Sequence, residues 1–347
     1  MKKLLYSFLI ILMACQPQTE QIVYSDSELE KKDSSNIVLE KICSGDFFVQ
    51  PKKMEIIGDS LLLIFDNQNG DNVCHLLNMK GELLMSFGEK GRSEMELISP
   101  QNISLSPNND SVYIYDYQLM KVLGFNISEV LISNSKPSCE VLHMDNIITT
   151  RYNGIYYIGE KMFLGWGNNE NRFTIIKNSK VLSVYKKYPP VDPDNECTWS
   201  IWGNLAQVSI SPNRRYLVAT TEIGALIEIF ELHGEKIESK VLKAYYEPNY
   251  SFAQGAKPKC VISNEKTIDG FRCLYLTDDN IFTTMGGPRY EHLDEILVYD
   301  YDGRLQQKLK TNAIIVNLAV TSDGTLMILA YDKKMEELSI YRSKINI

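Results

Sequence analysis

The segments Asn102-Ile-Ser-Leu-Ser-Pro-Asn-Asn and Gln207-Val-Ser-Ile-Ser-Pro-Asn-Arg share one pattern: a polar residue, alternating apolar positions, then a turn. Alternation with period two is the mark of a half-buried β-strand, and Pro and Asn supply the turn chemistry. Four more copies follow the same plan. They are Lys53-Met-Glu-Ile-Ile-Gly-Asp-Ser, Asn153-Gly-Ile-Tyr-Tyr-Ile-Gly-Glu, Arg272-Cys-Leu-Tyr-Leu-Thr-Asp-Asp and Asn317-Leu-Ala-Val-Thr-Ser-Asp-Gly. A second strand-like run comes after each turn: Leu61–Phe65, Val112–Tyr117, Met162–Trp166, Tyr216–Thr220, Ile281–Met285 and Leu326–Tyr331. Further hairpins are marked by Asn78-Met-Lys-Gly, Leu232-His-Gly and Tyr301-Asp-Gly, whose glycines tolerate positive φ.

Each unit therefore reads as four antiparallel strands. A lone sheet of that kind leaves an apolar face exposed, so the units must stack around an axis. Residues 36–347 hold 312 residues, and six copies give a mean spacing of 52, close to the ~50 of kelch-type blades. No helical period runs long enough to compete. The expected fold is all-β: a six-bladed β-propeller of four-stranded antiparallel blades. The last copy has only two or three strands of its own, and an open ring would leave sheet edges bare. The alternating stretch Ile37–Cys43, within 36–50, is expected to supply the missing strand and close the ring.

The N-terminus reads as an address. Lys2 and Lys3 precede an apolar run, Leu4 to Met13, which is too short for the ~20 residues that a bilayer span needs. It ends in Leu12-Met13-Ala14-Cys15, the pattern of a bacterial lipobox. The expected organisation is a lipoprotein signal peptide at 1–14, a lipidated flexible tether at 15–35 with the acyl chains on Cys15, and the propeller at 36–347. The expected location is the bacterial cell envelope, lipid-anchored at the outer membrane. Removal of Lys2 and Lys3 leaves 34 basic against 44 acidic side chains, a mature charge of −10.

The blade-linking stretch Phe87-Gly-Glu-Lys-Gly-Arg-Ser-Glu-Met-Glu-Leu97, followed by Ser99-Pro100, resembles the G-x-G-x-G-E-F…P linker of NHL-like propellers. Ser93 and Met95 stand where that linker carries glycine, and Leu97 where it carries Phe. Together with the lipobox, the chain resembles the TolB-like or NHL-like six-bladed propeller lipoproteins of gut anaerobic bacteria. That resemblance implies architecture and location more than chemistry.

Composition excludes several functions. With 44 acidic and 36 basic residues there is no electrostatic footprint for nucleic acid. The four histidines have no metal-ligand spacing, and no G-x-S-x-G elbow occurs. Neither a metal nor a cofactor is expected. Long segments fall on one propeller face: 88–101, 166–172, 189–206, 247–270 and 286–295. Long loops gathered on a rigid scaffold predict a binding surface there. They carry Trp166, Trp199, Trp202, Tyr250, Phe252, Arg289 and Tyr290 as candidate contacts. A second candidate set is the first residue of each repeat, Lys53, Asn102, Asn153, Gln207, Arg272 and Asn317, a ring of amides and cations at the channel mouth. Such a ring suits an anionic or hydroxyl-rich ligand rather than a hard cation.

The expected function is a non-enzymatic binding or scaffold lipoprotein. It would present its long-loop face, as a monomeric propeller, to an envelope protein, peptide or glycan. The alternatives are a hydrolase or lyase acting on a sugar or lactone at the channel, marked by a buried carboxylate pair or a metal, and a purely structural lipoprotein. Of the six cysteines besides Cys15, Cys197 and Cys260 lie in long loops of the same face and are the first disulfide pair to test.

Overall fold

Six antiparallel sheets follow one another around an axis in the computed structural model. It describes residues 22–345 except 69, 134–136, 145–150, 169, 179, 193, 257–258, 289–292 and 335. Cys15 and the signal segment, with Arg289 and Tyr290, lie outside the described residues. Blade 1 runs through Pro51–Ile57, Leu61–Asp66, Asn72–Asn78 and Leu83–Glu89, from the axis outward. Blade 2 uses Pro100–Leu105, Ser111–Asp116, Lys121–Asn126 and Glu140–His143. Blade 3 uses Gly154–Gly159, Met162–Trp166, Phe173–Lys177 and Lys180–Tyr185. Blade 4 is Ala206–Ile210, Tyr216–Thr221, Leu226–His233 and Lys236–Ala244. Blade 5 is Ile268–Leu276, Asn280–Pro288, Glu295–Asp300 and Leu305–Lys310.

Blade 6 has three strands of its own, Ala313–Val320, Thr325–Asp332 and Leu338–Lys344. The N-terminal strand Glu40–Ser44 pairs antiparallel with Leu338–Lys344 and completes it, as the alternating stretch predicted. The pairing links one end of the propeller to the other, and Arg342 clasps Glu40 with two bonds of 2.8 Å.

The apolar residues do not form one central core. They lie between successive blades, where the faces of neighbouring sheets meet. Phe65, Phe87, Ile103 and Ile114 join blades 1 and 2. Tyr156, Leu164, Val208, Leu217 and Phe230 join blades 3 and 4. Blade 6 packs on both neighbours through Met54, Ile64, Phe282, Leu318 and Ile328. Packing the apolar residues between the blades leaves an axis whose wall mixes polar side chains with apolar ones such as Ile56, Ile210 and Val320.

Buried aspartates at the ends of the second strands fix the incoming linkers. Asp116 accepts backbone N–H bonds from Ile98, Ser99 and Leu119 at 2.5 to 2.9 Å. Asp66 does the same for Val49, Gln50 and Gln68. In the linker between blades 1 and 2, Gly88 has φ 77°, and a Cβ there would lie 3.0 Å from Ile114 and Val73. Glycine is required at that point on both grounds.

One segment departs from its expected form. Residues 15–35 were expected to be a flexible tether, yet from Ile22 onward the chain is docked on blades 4 and 5. Tyr24 bridges Ala244, Ser25 donates its N–H to the Ala244 carbonyl at 2.9 Å, and a short helix covers Ser27–Lys31. Glu28 accepts from the Lys243 ammonium, from the Leu305 amide at 3.0 Å and from Tyr245 at 3.3 Å. Ser34–Asn36 then adds a fifth, parallel strand to the outer edge of blade 5. Polar composition suggested a tether because these contacts are long-range and leave no local period.

Candidate functional site

The innermost strands of blades 1, 2, 5 and 6 each carry a β-bulge, with register shifts at Pro51/Lys53, Pro100/Asn102, Phe271/Cys273 and Ile315/Asn317. A bulge re-aims the side chains beside it. Lys53, Asn102 and Asn317 directly follow the extra residue, and Arg272 is the extra residue itself. Four of the six ring positions thus sit at a bulge, whereas Asn153 and Gln207 do not.

Most members of the ring predicted as a ligand contact are occupied within the fold. Asn102 donates to the Ile155 carbonyl at 3.0 Å and accepts from the Ile155 amide at 2.9 Å. Asn153 donates to Gly203 at 2.6 Å, Gln207 donates to the Arg272 carbonyl, and Asn317 donates to Lys52 at 2.8 Å. Each of these bonds reaches forward to the next blade or the loop that leads into it. Arg272 instead turns back: it grips Asp269 with two nitrogens and reaches Glu222 at 3.0 Å. These bonds make the repeated position a set of latches between blades.

Lys53 also serves the cavity below. At the short-turn end of the axis a cavity of ≈ 1280 Å³ opens, and all six blades contribute to its wall. The floor is set by Lys53 and Glu55, 2.8 Å apart, with side chains 18% and 16% exposed. The Lys53 ammonium lies 5.1 Å from the Tyr156 ring. Burial pulls its pKa down, but Glu55 and Tyr156 outweigh that and hold the ammonium above its ordinary value. Arg214 enters the wall from blade 4, donating to the Leu105 and Ser211 carbonyls. Burial lowers the pKa of this guanidinium against the pull of Glu55 and Asp278.

Acids and bases alternate around the rim. Lys344 pairs with Asp323 at 2.6 Å, and Arg304 with Asp300 at 3.9 Å. Asp278 and Asp279 are exposed in the blade 5 turn. The tyrosines of the wall are committed. Tyr156 donates to the Val208 carbonyl at 2.5 Å, Tyr275 donates to Val320 at 3.3 Å, and Tyr157 stacks on Tyr113 at 4.1 Å.

The aromatic residues predicted for the opposite face do not form a shared surface. Trp166 and Trp202 are 8% and 1% exposed and belong to the core between blades 3 and 4. Trp202 lies 4.5 Å from the Arg172 guanidinium, whose ion pair with Glu228 is 2.6 Å long and almost wholly buried. Trp199 donates to Gly167 at 3.3 Å, and Tyr250 donates to Asp192. Phe252 alone of the described set is half exposed. Cys197 and Cys260 are not joined in a disulfide, and burial pushes the Cys197 thiol up.

A carboxylate pair does occur at the long-loop end of the channel, Asp269 buried and Glu222 partly exposed. Glu222 and Asp269 flank Arg272. Burial, and then the charge of Asp269, raises the Glu222 carboxyl above its ordinary value, against the opposing pull of Arg272. Among the described residues no group of three or more His, Cys, Asp or Glu is placed to hold a metal ion. Among the same residues no helix is long and apolar enough to cross a membrane.

Sequence reading missed Glu55, Tyr156 and Arg214. A signal was present: Glu55, Ser104 and Ser209 each lie two residues beyond a ring position, on the same side of their strand. All three line the cavity.

With this geometry in hand, the profile of the TolB-like 6-blade propeller-like family matches residues 31–323, and the chain belongs to that family. Among solved structures it is similar to a candidate exported protein of Bacteroides fragilis. The TM-score is 0.59 at 13% identity, over 94% of this chain and 98% of that one. It is also similar to a luciferin-regenerating enzyme, with TM-score 0.52 at 10% identity over 89% of this chain and 95% of that one. Likeness at this level concerns the fold. No curated protein matches the chain.

Proposed function

We propose that this protein is a non-enzymatic binding lipoprotein of the bacterial envelope that receives a peptide or protein segment in its central cavity. The cavity carries the reading. At ≈ 1280 Å³ it exceeds the roughly 300–1,000 Å³ of small-molecule pockets, and its wall presents fixed charges of both signs. Backbone dipoles and mixed side-chain charges match such a wall. A glycan would need an open aromatic face, and Lys53 covers Tyr156 while Tyr113 covers Tyr157. The site thus lies on the face opposite the one that loop length suggested.

The anchor reading rests on Leu12-Met13-Ala14-Cys15, and the likeness to a candidate exported protein agrees with an envelope location. Cys15→Ser should release the protein from the outer membrane into the soluble fraction; continued membrane retention would refute the anchor. For the site, the chain from residue 16 onward is titrated with envelope-derived peptides by calorimetry. Lys53→Ala should weaken binding about 30-fold, the ~2 kcal/mol expected when one member of a half-buried charge pair is removed. Unchanged affinity would place the ligand elsewhere.

A second reading, a hydrolase or lyase acting on a sugar or lactone, is favoured by one observation, the Glu222–Asp269 pair with its raised Glu222 carboxyl. Its weak point is that Arg272 already occupies both groups. Turnover of a lactone or glycoside panel, abolished by Glu222→Gln, would establish it.

A further inference from the structure

Charge in the axial cavity is layered by depth. Lys53 and Glu55 are mostly buried at the floor, and Arg214, partly buried, joins them from the turn of blade 4. Lys53 feels the opposing charge of Arg214, and both cations feel the attraction of Glu55. Deep in the cavity, then, two cations share one carboxylate. The exposed residues of the wall have the opposite balance: Asp59, Asp278, Asp279 and Asp323 stand against Arg304 and Lys344.

Arg214 is the member of the deep set whose charge is least answered. Its backbone lies in the left-handed region at φ 59°, as does Asn109 in the matching turn of blade 2 at φ 56°. Asn suits that conformation and Arg does not, so the side chain accounts for an arginine there. The guanidinium donates to the carbonyls of Leu105 and Ser211. Among the described residues, Glu55 and Asp278 attract it through space, with no hydrogen bond to either. Donors remain on its planar fork, and a carboxylate is the group that suits them. Asp278 meanwhile accepts the Asn213 amide at 2.9 Å, which fixes the acidic rim beside the turn that carries Arg214.

The cavity ends at the level of the ring. Lys53 lines it, whereas Asn102, Asn153, Gln207, Arg272 and Asn317 lie outside its wall. A chain end enters such a space in a single pass, whereas a loop must enter and return. Lys53 and Ile57 lie on one strand. Their separation of ~13 Å, at ~3.3 Å per residue, is crossed by an extended peptide in about four residues. We propose that the partner enters carboxyl end first. Its terminal carboxylate is held between Lys53 and Arg214, and a Lys or Arg side chain about four residues earlier meets Asp278 and Asp279 at the rim. This rests on the peptide-binding reading of the cavity.

The test uses the mature protein in detergent and two sets of random heptapeptide beads tethered by their N-termini, one set with free carboxyl ends and one amidated. The protein should bind the free ends about tenfold more tightly, and the bound sequences should be enriched in Lys or Arg about four residues before the end. Arg214→Gln should abolish the preference for a free end while its binding to amidated peptides persists, which shows that the variant is folded. Arg214→Lys, which keeps the charge, should retain most of the preference. Asp278→Asn with Asp279→Asn should remove the enrichment in Lys and Arg alone. Equal binding of free and amidated peptides, lost in Lys53→Ala, would overturn the carboxyl-first entry and leave the cavity a peptide site. An undiminished preference in Arg214→Gln would seat the carboxylate elsewhere and refute the proposal. Failure to bind either set would overturn the peptide reading itself, and the proposal with it. Binding of uronate-ended oligosaccharides in place of both sets would assign the two cations to a glycan, with the same consequence.

Discussion

The two faces of the ring use the same scaffold in opposite ways. On the long-loop face most of the described aromatic side chains are committed to contacts within the fold. Its loops carry Trp202 onto the buried Arg172–Glu228 pair, and Tyr250 onto Asp192. The short-turn face is built from the briefest connections in the chain, and it is there that the axis stays open. Long loops have enough side chain to pack on one another and on the blades; two- to four-residue turns do not. Loop length therefore measures how much material a face holds, not whether that face binds.

Breaking the packed side should have the largest effect. Glu228→Ala leaves the Arg172 charge buried without its partner, and should cost about 3–5 kcal/mol in a denaturant titration. Ligand binding at the opposite end should be unchanged wherever the variant is folded. A cost below about 1 kcal/mol would mean that this face is looser than its contacts imply.

Next in size is the open side. Glu55→Gln removes the charge that holds Lys53, and should change peptide affinity by roughly 2 kcal/mol with little effect on unfolding. A fall in stability as large as that of Glu228→Ala would make the cavity floor a structural pair instead. Between the two faces lie the latches. Asn102→Ala loses two bonds to Ile155 and should destabilise by about 1–3 kcal/mol, with ligand affinity preserved. If affinity fell while stability held, the ring would be a ligand contact after all.

The smallest effect concerns pH. The Glu222 carboxyl is raised above its ordinary 4.5, so the fold binds this proton more tightly than the unfolded chain does. Its contribution to stability is fully present below the unfolded value and is lost as pH rises through the folded one. Glu222→Gln should flatten that loss, a shift of roughly 1–3 °C in the thermal midpoint on the alkaline side of the window. An identical pH profile in variant and wild type would show that Glu222 does not carry the charge burial described.

The fold was legible because its signal is local and repeated. Each copy alternates within eight residues, and the closing strand Glu40–Ser44 overlaps the alternating stretch Ile37–Cys43. The site was legible only in part. Lys53 was identified, and Glu55, two residues on along the same strand, was within reach of the same pattern; Tyr156 and Arg214 belong to two other blades, and nothing local ties them to it. The polar ring was visible as a ring. Its latching role depends on carbonyls of the adjacent blade or its lead-in loop, 50 to 65 residues on and 265 where the ring closes. The three tryptophans fell on the long-loop segments as read, but the buried arginine that draws Trp202 inward could not be seen before the loops were folded.

The central claim is that the partner enters the cavity at the short-turn face. It is tested most directly by photo-crosslinking in the native envelope, with p-benzoylphenylalanine placed at Asp279 on the cavity rim or at Phe252 on the opposite face. The account predicts peptide or protein adducts from position 279 and none from position 252. Protein adducts from position 252 alone would contradict it.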